Sequence, residues 1–121
     1  MEAGSVQTIR QRLRNRRRQY QRDLQQEAGR LATAAATLGA QRVVLFGSTA
    51  WGEPGLTSDL DLLIVWDTPL DFLERTVELY RRLQPRVAVD LLVYTPEEME
   101  IMAPRPLIRR VLKEGRVLYE A

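Results

Sequence analysis

Arg42–Trp66 reads RVVLFGSTAWGEPGLTSDLDLLIVW. Two apolar, β-branched runs, Arg42–Phe46 and Asp59–Trp66, flank a segment rich in Gly, Ser and Pro, the texture of two strands joined by a short connection. Thr49–Ser58 puts ten residues between Gly47-Ser48 and Asp59-Leu60-Asp61. In a strand, residues two apart point to the same side, so Asp59 and Asp61 leave one face a few ångströms apart. Leu60, Leu62, Ile64 and Trp66 take the opposite face and bury it. Like charges held that close repel unless something positive lies between them. Mg²⁺ is the natural occupant, because it takes hard oxygen ligands and leaves positions for substrate phosphates.

The residues on either side of this pair extend the same chemistry. Gly47 allows a sharp turn and a close backbone approach, and Ser48 opens a short helix over Thr49–Trp51, so Gly47 and Ser48 form a candidate phosphate-binding corner. Gly52–Gly55 then reads as a loop that returns the chain to the acidic strand. Asp90 sits in a third apolar run, Arg86–Tyr94 (RVAVDLLVY). An unpaired buried charge is costly, so Asp90 is expected either to be paired or to bind metal. Beside the Asp59–Trp66 strand it would complete a three-carboxylate cluster for two metals. Two such ions can activate an attacking oxygen and stabilise a departing pyrophosphate.

Moving outward, Pro69–Gln84 reads as a helix with Leu70, Leu73, Val77, Tyr80 and Leu83 on one face. Thr95-Pro96-Glu97-Glu98 has the form of a capping box, Pro106–Lys113 is a further helix stopped by Gly115, and Arg116–Tyr119 is a short edge strand. On the N-terminal side Val6, Ile9, Leu13, Tyr20, Leu24, Ala28, Leu31, Ala35 and Leu38 fall at helical spacing, with Gly39 as the stop. At ~1.5 Å per residue that helix runs to roughly 50 Å, so its first half should project from the body. The pattern predicts an α/β (α+β) fold: a small mixed sheet of three to four strands, helices on one face, the acids on the other face or at its edge, and a long N-terminal helix.

Composition narrows the chemistry. Among the 121 residues there is neither His nor Cys, which excludes Ser-His-Asp and Cys-His catalysis, imidazole or thiolate metal sites, and disulfides. No apolar run is long enough to cross a membrane and no secretory signal is apparent, so a cytoplasmic protein without membrane contact is expected. Charge divides the chain into two parts. Residues 1–30, an Arg-rich helical arm, carry eight Arg against three acids, whereas residues 31–121 carry ten basic against thirteen acidic residues. The arm reads as a solvated helix face, as a surface for a partner or a second copy of the chain, or as a nucleic-acid contact.

The combination of Gly-Ser, a ten-residue gap, Asp-x-Asp and a later strand Asp resembles the DNA polymerase beta-like nucleotidyltransferase superfamily, and the short chain resembles its minimal branch. The resemblance spans residues 31–121. It implies the nucleotidyltransferase fold and transfer of a nucleoside monophosphate, AMP from ATP, with two Mg²⁺ ions or Mn²⁺. It also implies that Asp59 and Asp61 are paired metal ligands, Asp90 the third carboxylate, and Gly47 and Ser48 nucleotide contacts. Minimal members are commonly antitoxins of a HEPN-domain toxin, and some adenylylate a tyrosine of that toxin. The expected partner is therefore such a toxin, which would carry the acceptor. The alternatives are a binding antitoxin that acts by occlusion without turnover, and a nucleic-acid-binding module that uses the Arg-rich arm. Thr49 and Trp51 depart from the family pattern, which often has Arg at both positions.

Overall fold

The computed structural model describes residues 2–51 and 59–121, with side chains from Thr8 onward. The expected loop Gly52–Gly55 and the side chain of Val6 lie outside the described residues. Five helices and four strands are described: α1 (Glu2–Thr37), β1 (Arg42–Phe46), α2 (Ser48–Trp51), β2 (Leu60–Val65), α3 (Phe72–Leu83), β3 (Val89–Tyr94), α4 (Pro96–Met102), α5 (Pro106–Glu114) and β4 (Arg116–Glu120).

The strands form one mixed sheet in the order β3-β2-β1-β4. β1 runs antiparallel to both β2 and β4, and β3 runs parallel to β2. A parallel neighbour cannot be reached through a tight turn, and α3 makes the crossover between β2 and β3. Register aligns Phe46 with Asp61 and Asp61 with Asp90, so three residues stand in one row across β1, β2 and β3.

Alternation along the strands gives the sheet two apolar faces. Val43, Leu45, Leu60, Leu62, Ile64, Val89, Leu91 and Val93 pack against Leu24, Ala28, Leu31, Ala32 and Ala35 of α1 and Leu79 and Leu83 of α3. The alanines let α1 lie close to the sheet. On the other face Val44 and Leu63 pack against Val111 of α5, with Phe46, Leu92, Tyr94, Met99 and Leu112 around them. Helices therefore cover both faces, a correction to the one-sided layer expected from sequence. Val44 and Leu63 would otherwise stand in water, and covering them is favourable by about 1.5–3 kcal/mol for each large side chain.

Two further expectations are corrected. The buried stripe of α3 is Arg75, Leu79 and Leu83, while Leu73 and Val77 are exposed. Arg75 goes inside because its guanidinium finds acceptors there: it donates to the carbonyls of Leu70 at 3.0 Å and Val93 at 3.4 Å, and it pairs with Glu98. Glu98 in turn closes the capping box of α4, accepting from the Thr95 backbone N–H while its own N–H donates to Thr95 Oγ1. β3 begins at Val89 rather than Arg86, because the Arg86 N–H is taken by the Glu27 carboxylate at 2.6 Å.

α1 crosses residue 30 without a break. From Thr8 to Asp23 every residue is exposed, and core contact begins at Leu24. The packed half is fastened by polar groups. Arg30 pairs with buried Glu27 at 2.7 Å and donates to the carbonyls of Leu83 and Gln84 at the end of α3, and Trp66 Nε1 donates to Leu38 O at 3.2 Å.

Candidate active site

The row of Phe46, Asp61 and Asp90 lies where β1 ends and where β2 and β3 begin. Neighbouring strands are about 4.8 Å apart, so Asp61 and Asp90, directly paired in register, project side by side from the face opposite the α1 core. At the end of β1 the chain turns through Gly47, whose φ is +78°. The Asp61 carboxylate packs directly on the Gly47 Cα: a Cβ there would stand 2.2 Å from Asp61 Oδ2. Ser48 opens α2 immediately afterwards, and the Gly47 carbonyl accepts from the N–H groups of Ala50 at 3.2 Å and Trp51 at 2.9 Å. Gly47, Ser48, Asp61 and Asp90 therefore share one end of the sheet.

Asp59 is arranged differently. The N–H groups of Asp59 and Leu60 both donate to Ala88 O, at 2.9 and 3.2 Å, so the regular ladder starts only at Leu60 and strand alternation does not reach Asp59. The expected strand start at Asp59 is corrected for that reason. Its carboxylate accepts from the Tyr20 hydroxyl at 2.5 Å and from the Ala88 N–H at 3.3 Å, and its carbonyl accepts from Thr49 Oγ1 at 2.6 Å. Thr49 thus ties α2 to the start of β2. Among the described residues no group of three carboxylates is gathered closely enough to hold an ion between them. The structure pairs Asp61 with Asp90 and sets Asp59 at the rim, held by α1.

Charge at this end is visible in neighbouring tyrosines. Bonding to the Asp59 carboxylate holds the Tyr20 phenol above its ordinary pKa. Burial raises the Tyr80 phenol, and the negative charges of Asp90 and Asp61 add to that rise. On the other side of the corner Trp51 packs against Phe46 with ring centroids 6.2 Å apart, and the Arg110 guanidinium lies 3.8 Å above the Trp51 ring. The departure from Arg at position 51 is accompanied by an arginine brought from α5. Sequence reasoning missed Tyr20 and Arg110 as neighbours of the site. The available signal for Tyr20 was its place one turn before Leu24 on the packing stripe of α1.

The donor chemistry fits a hard divalent cation. Asp61 and Asp90 offer only carboxylate oxygens, and the absence of a side chain at Gly47 lets the Asp61 carboxylate sit against the turn that leads into Ser48.

Comparison with known proteins gives the family and the fold. The sequence pattern of the nucleotidyltransferase domain family matches residues 29–119. The chain belongs to that family. A candidate protein adenylyltransferase of Methanocaldococcus jannaschii is 35% identical over 81 residues, which cover 65% of this chain and 78% of the relative. The crystal structure of a candidate nucleotidyltransferase from Sulfolobus solfataricus superposes with a TM-score of 0.61 at 24% identity, covering 84% of this chain and 85% of that one, and shows the same fold. The family match takes in the last turns of α1, strands β1 to β3, β4 as far as Tyr119, and the Gly47–Asp61–Asp90 corner of this nucleotidyltransferase. No described helix is long and apolar enough to cross a membrane.

Proposed function

We propose that this nucleotidyltransferase moves a nucleoside monophosphate, AMP from ATP, onto a hydroxyl of a protein acceptor. The observation that carries the reading is the in-register pair Asp61–Asp90 beside the Gly47-Ser48 turn. The protein adenylyltransferase name of the M. jannaschii relative supports a protein acceptor. Asp61 and Asp90 would hold Mg²⁺ or Mn²⁺. Such a cation, when bound, neutralises the triphosphate and stabilises the leaving pyrophosphate. The chain's own groups do the remaining work. The amides and hydroxyl at Ser48 receive phosphate oxygens, Gly47 keeps the corner clear of side chains, and Asp90 stands next to Asp61 to orient the attacking hydroxyl.

The acceptor site is assigned to a partner, a HEPN-type toxin for which this chain acts as antitoxin. Incubation with ATP, Mg²⁺ and that partner should add one or more AMP units to the partner, read as discrete mass increases. Asp61→Asn should abolish them. Neutralisation of the toxin that persists in Asp61→Asn with no mass increase would replace transfer by occlusion.

A further inference from the structure

α5 lies on the face of the sheet from which Asp61 and Asp90 project, because Val111 packs on Leu63, two residues along β2 from Asp61, and on Val44 of β1. Its outer side carries a charge that the rest of the body lacks. Residues 103–116 hold Arg105, Arg109, Arg110, Lys113 and Arg116 against one acid, Glu114, and these are five of the ten basic residues of residues 31–121. Along the helix runs an open groove of about 620 Å³, within the roughly 300–1,000 Å³ of ligand sites. Ala103, Pro106 and Leu112 give it apolar walls, and Arg109, Arg110 and Lys113 its charge. Glu114, which also lines it, is tied to Arg110 at 2.7 Å. Arg109 and Lys113 are exposed, stand one helical turn apart, and join no ion pair among the described residues. Like charges at that spacing repel, so an anion between them is favoured. The groove adjoins the acid pair: Arg110 is held over Trp51, Trp51 packs on Phe46, and Phe46 is in register with Asp61.

We propose that this groove docks an acidic segment of the acceptor protein, with its carboxylates between Arg109 and Lys113 and its hydroxyl-bearing residue reaching past Trp51 toward the Asp61–Asp90 pair. The proposal rests on the nucleotidyl-transfer reading of the site. Charge selects the occupant and its direction. Asp61 and Asp90 repel carboxylates while the α5 side attracts them, so an acidic segment has one favourable way to lie across this face. The apolar walls suit side chains of a polypeptide. A nucleic-acid strand gains from open aromatic faces on which its bases stack, and Trp51 is already flanked by Arg110 and Phe46.

The test uses the full chain and three fluorescent probes: a short peptide with a tyrosine flanked by glutamates, the same peptide with lysines in place of the glutamates, and a single-stranded oligouridine. Binding is read by anisotropy, with a non-hydrolysable ATP analogue titrated in parallel. The glutamate peptide should bind, more weakly as salt is raised, and Arg109→Glu combined with Lys113→Glu should weaken it at least about tenfold while leaving the affinity for the analogue unchanged. The same double variant should gain binding of the lysine peptide, which a misfolded chain would not do. Arg16→Glu combined with Arg17→Glu, an equal reversal on the arm, should leave the glutamate peptide bound as before. A glutamate peptide that does not bind, that binds the double variant as well as the parent chain, or that is lost on the arm reversal instead would overturn the proposal. Oligouridine that binds more tightly than the peptide and is lost in the double variant would overturn it too, and would give the groove to nucleic acid. A chain that binds the analogue but not the glutamate peptide overturns docking alone. A chain that binds the peptide through Arg109 and Lys113 but neither binds the analogue nor transfers nucleotide supports the groove as an acidic-peptide site and overturns the proposed function.

Discussion

Gly47 and Asp61 are in contact through the space a side chain would occupy: a Cβ on Gly47 would lie 2.2 Å from Asp61 Oδ2 and 2.9 Å from its Cγ. The glycine also holds φ at +78°, a conformation that L side chains rarely adopt. Backbone turn and acid position are therefore one constraint. Whatever displaces the Asp61 carboxylate also disturbs the corner that leads into α2.

Gly47→Ala is expected to cost about 1–3 kcal/mol from backbone strain and to push the Asp61 carboxylate out of place. Urea denaturation should show the loss of stability, and nucleotidyl transfer should fall by more than that loss explains at temperatures where the variant remains folded. Unchanged transfer in a folded Gly47→Ala would show that the position of Asp61 does not matter.

Asp61→Asn or Asp90→Asn should reduce transfer by at least roughly 100-fold, because each removes one carboxylate of the in-register pair. Asp90→Asn should leave stability unchanged or slightly raised, since two like charges no longer face each other across adjacent strands. Steady-state kinetics and thermal melts on the same preparations check both halves of this expectation.

Arg75→Ala is expected to be among the most destabilising substitutions in the chain, by about 3–5 kcal/mol. It would leave the Leu70 and Val93 carbonyls without a donor and Glu98 without its cation, under a helix that closes the covered face. Glu98→Gln, which keeps a side chain able to hydrogen-bond Thr95, should cost less. Denaturant midpoints of the two variants give the comparison.

Acid sensitivity follows from two carboxylates. Arg30 beside Glu27 holds that carboxyl below its ordinary value of 4.5, with the Arg86 N–H assisting, and the Thr95 N–H together with Arg75 does the same for Glu98. A depressed folded pKa contributes stability above the unfolded value, and that stability disappears as pH falls through the folded value. The free energy of unfolding should therefore be flat from neutrality to about pH 5 and decline below about pH 4.5. In Glu27→Gln the decline should be shallower, from a lower plateau, when unfolding is measured by urea titration at several pH values.

Deleting Met1–Arg18 should leave the body folded, with a loss below about 0.5 kcal/mol, because core contact starts at Leu24 and the removed residues from Thr8 onward are exposed. Ile9 and Leu13 are about half exposed on the same helix as the arginines. If that face docks a partner or a second copy, the deletion weakens assembly in size-exclusion runs and Ile9→Ala or Leu13→Ala reproduces the effect. If it binds nucleic acid, Arg→Ala changes at positions 14, 16, 17 and 18 weaken an RNA shift while those two leave it intact.

Local rules made much of this protein legible. Strand alternation put Leu60, Leu62 and Ile64 in the core and Asp61 opposite them, the capping box at Thr95–Glu98 formed as its residues dictate, and the periodic stripe of α1 packs from Leu24 onward. These follow from backbone geometry, which repeats with a period set by covalent structure and needs no distant partner. Other features had no local signature. α3 carries two competing stripes, and which one turns inward depends on Glu98 and the Val93 carbonyl being available to Arg75. The closure of the second face by α5 depends on Val44 and Leu63 meeting Val111, residues far apart in the chain. Asp59 was placed by two amides converging on Ala88 O and by a tyrosine 39 residues earlier, and neither is written in the spacing of Asp59 and Asp61. The sequence by itself determined which residues could carry the chemistry and on which side of a strand Asp61 lies. Only the tertiary structure decided that Asp90 is its neighbour in register and that Asp59 answers to the arm, because pairing across strands and contact between helix and sheet end are set by the closing of the whole chain rather than by any stretch of it.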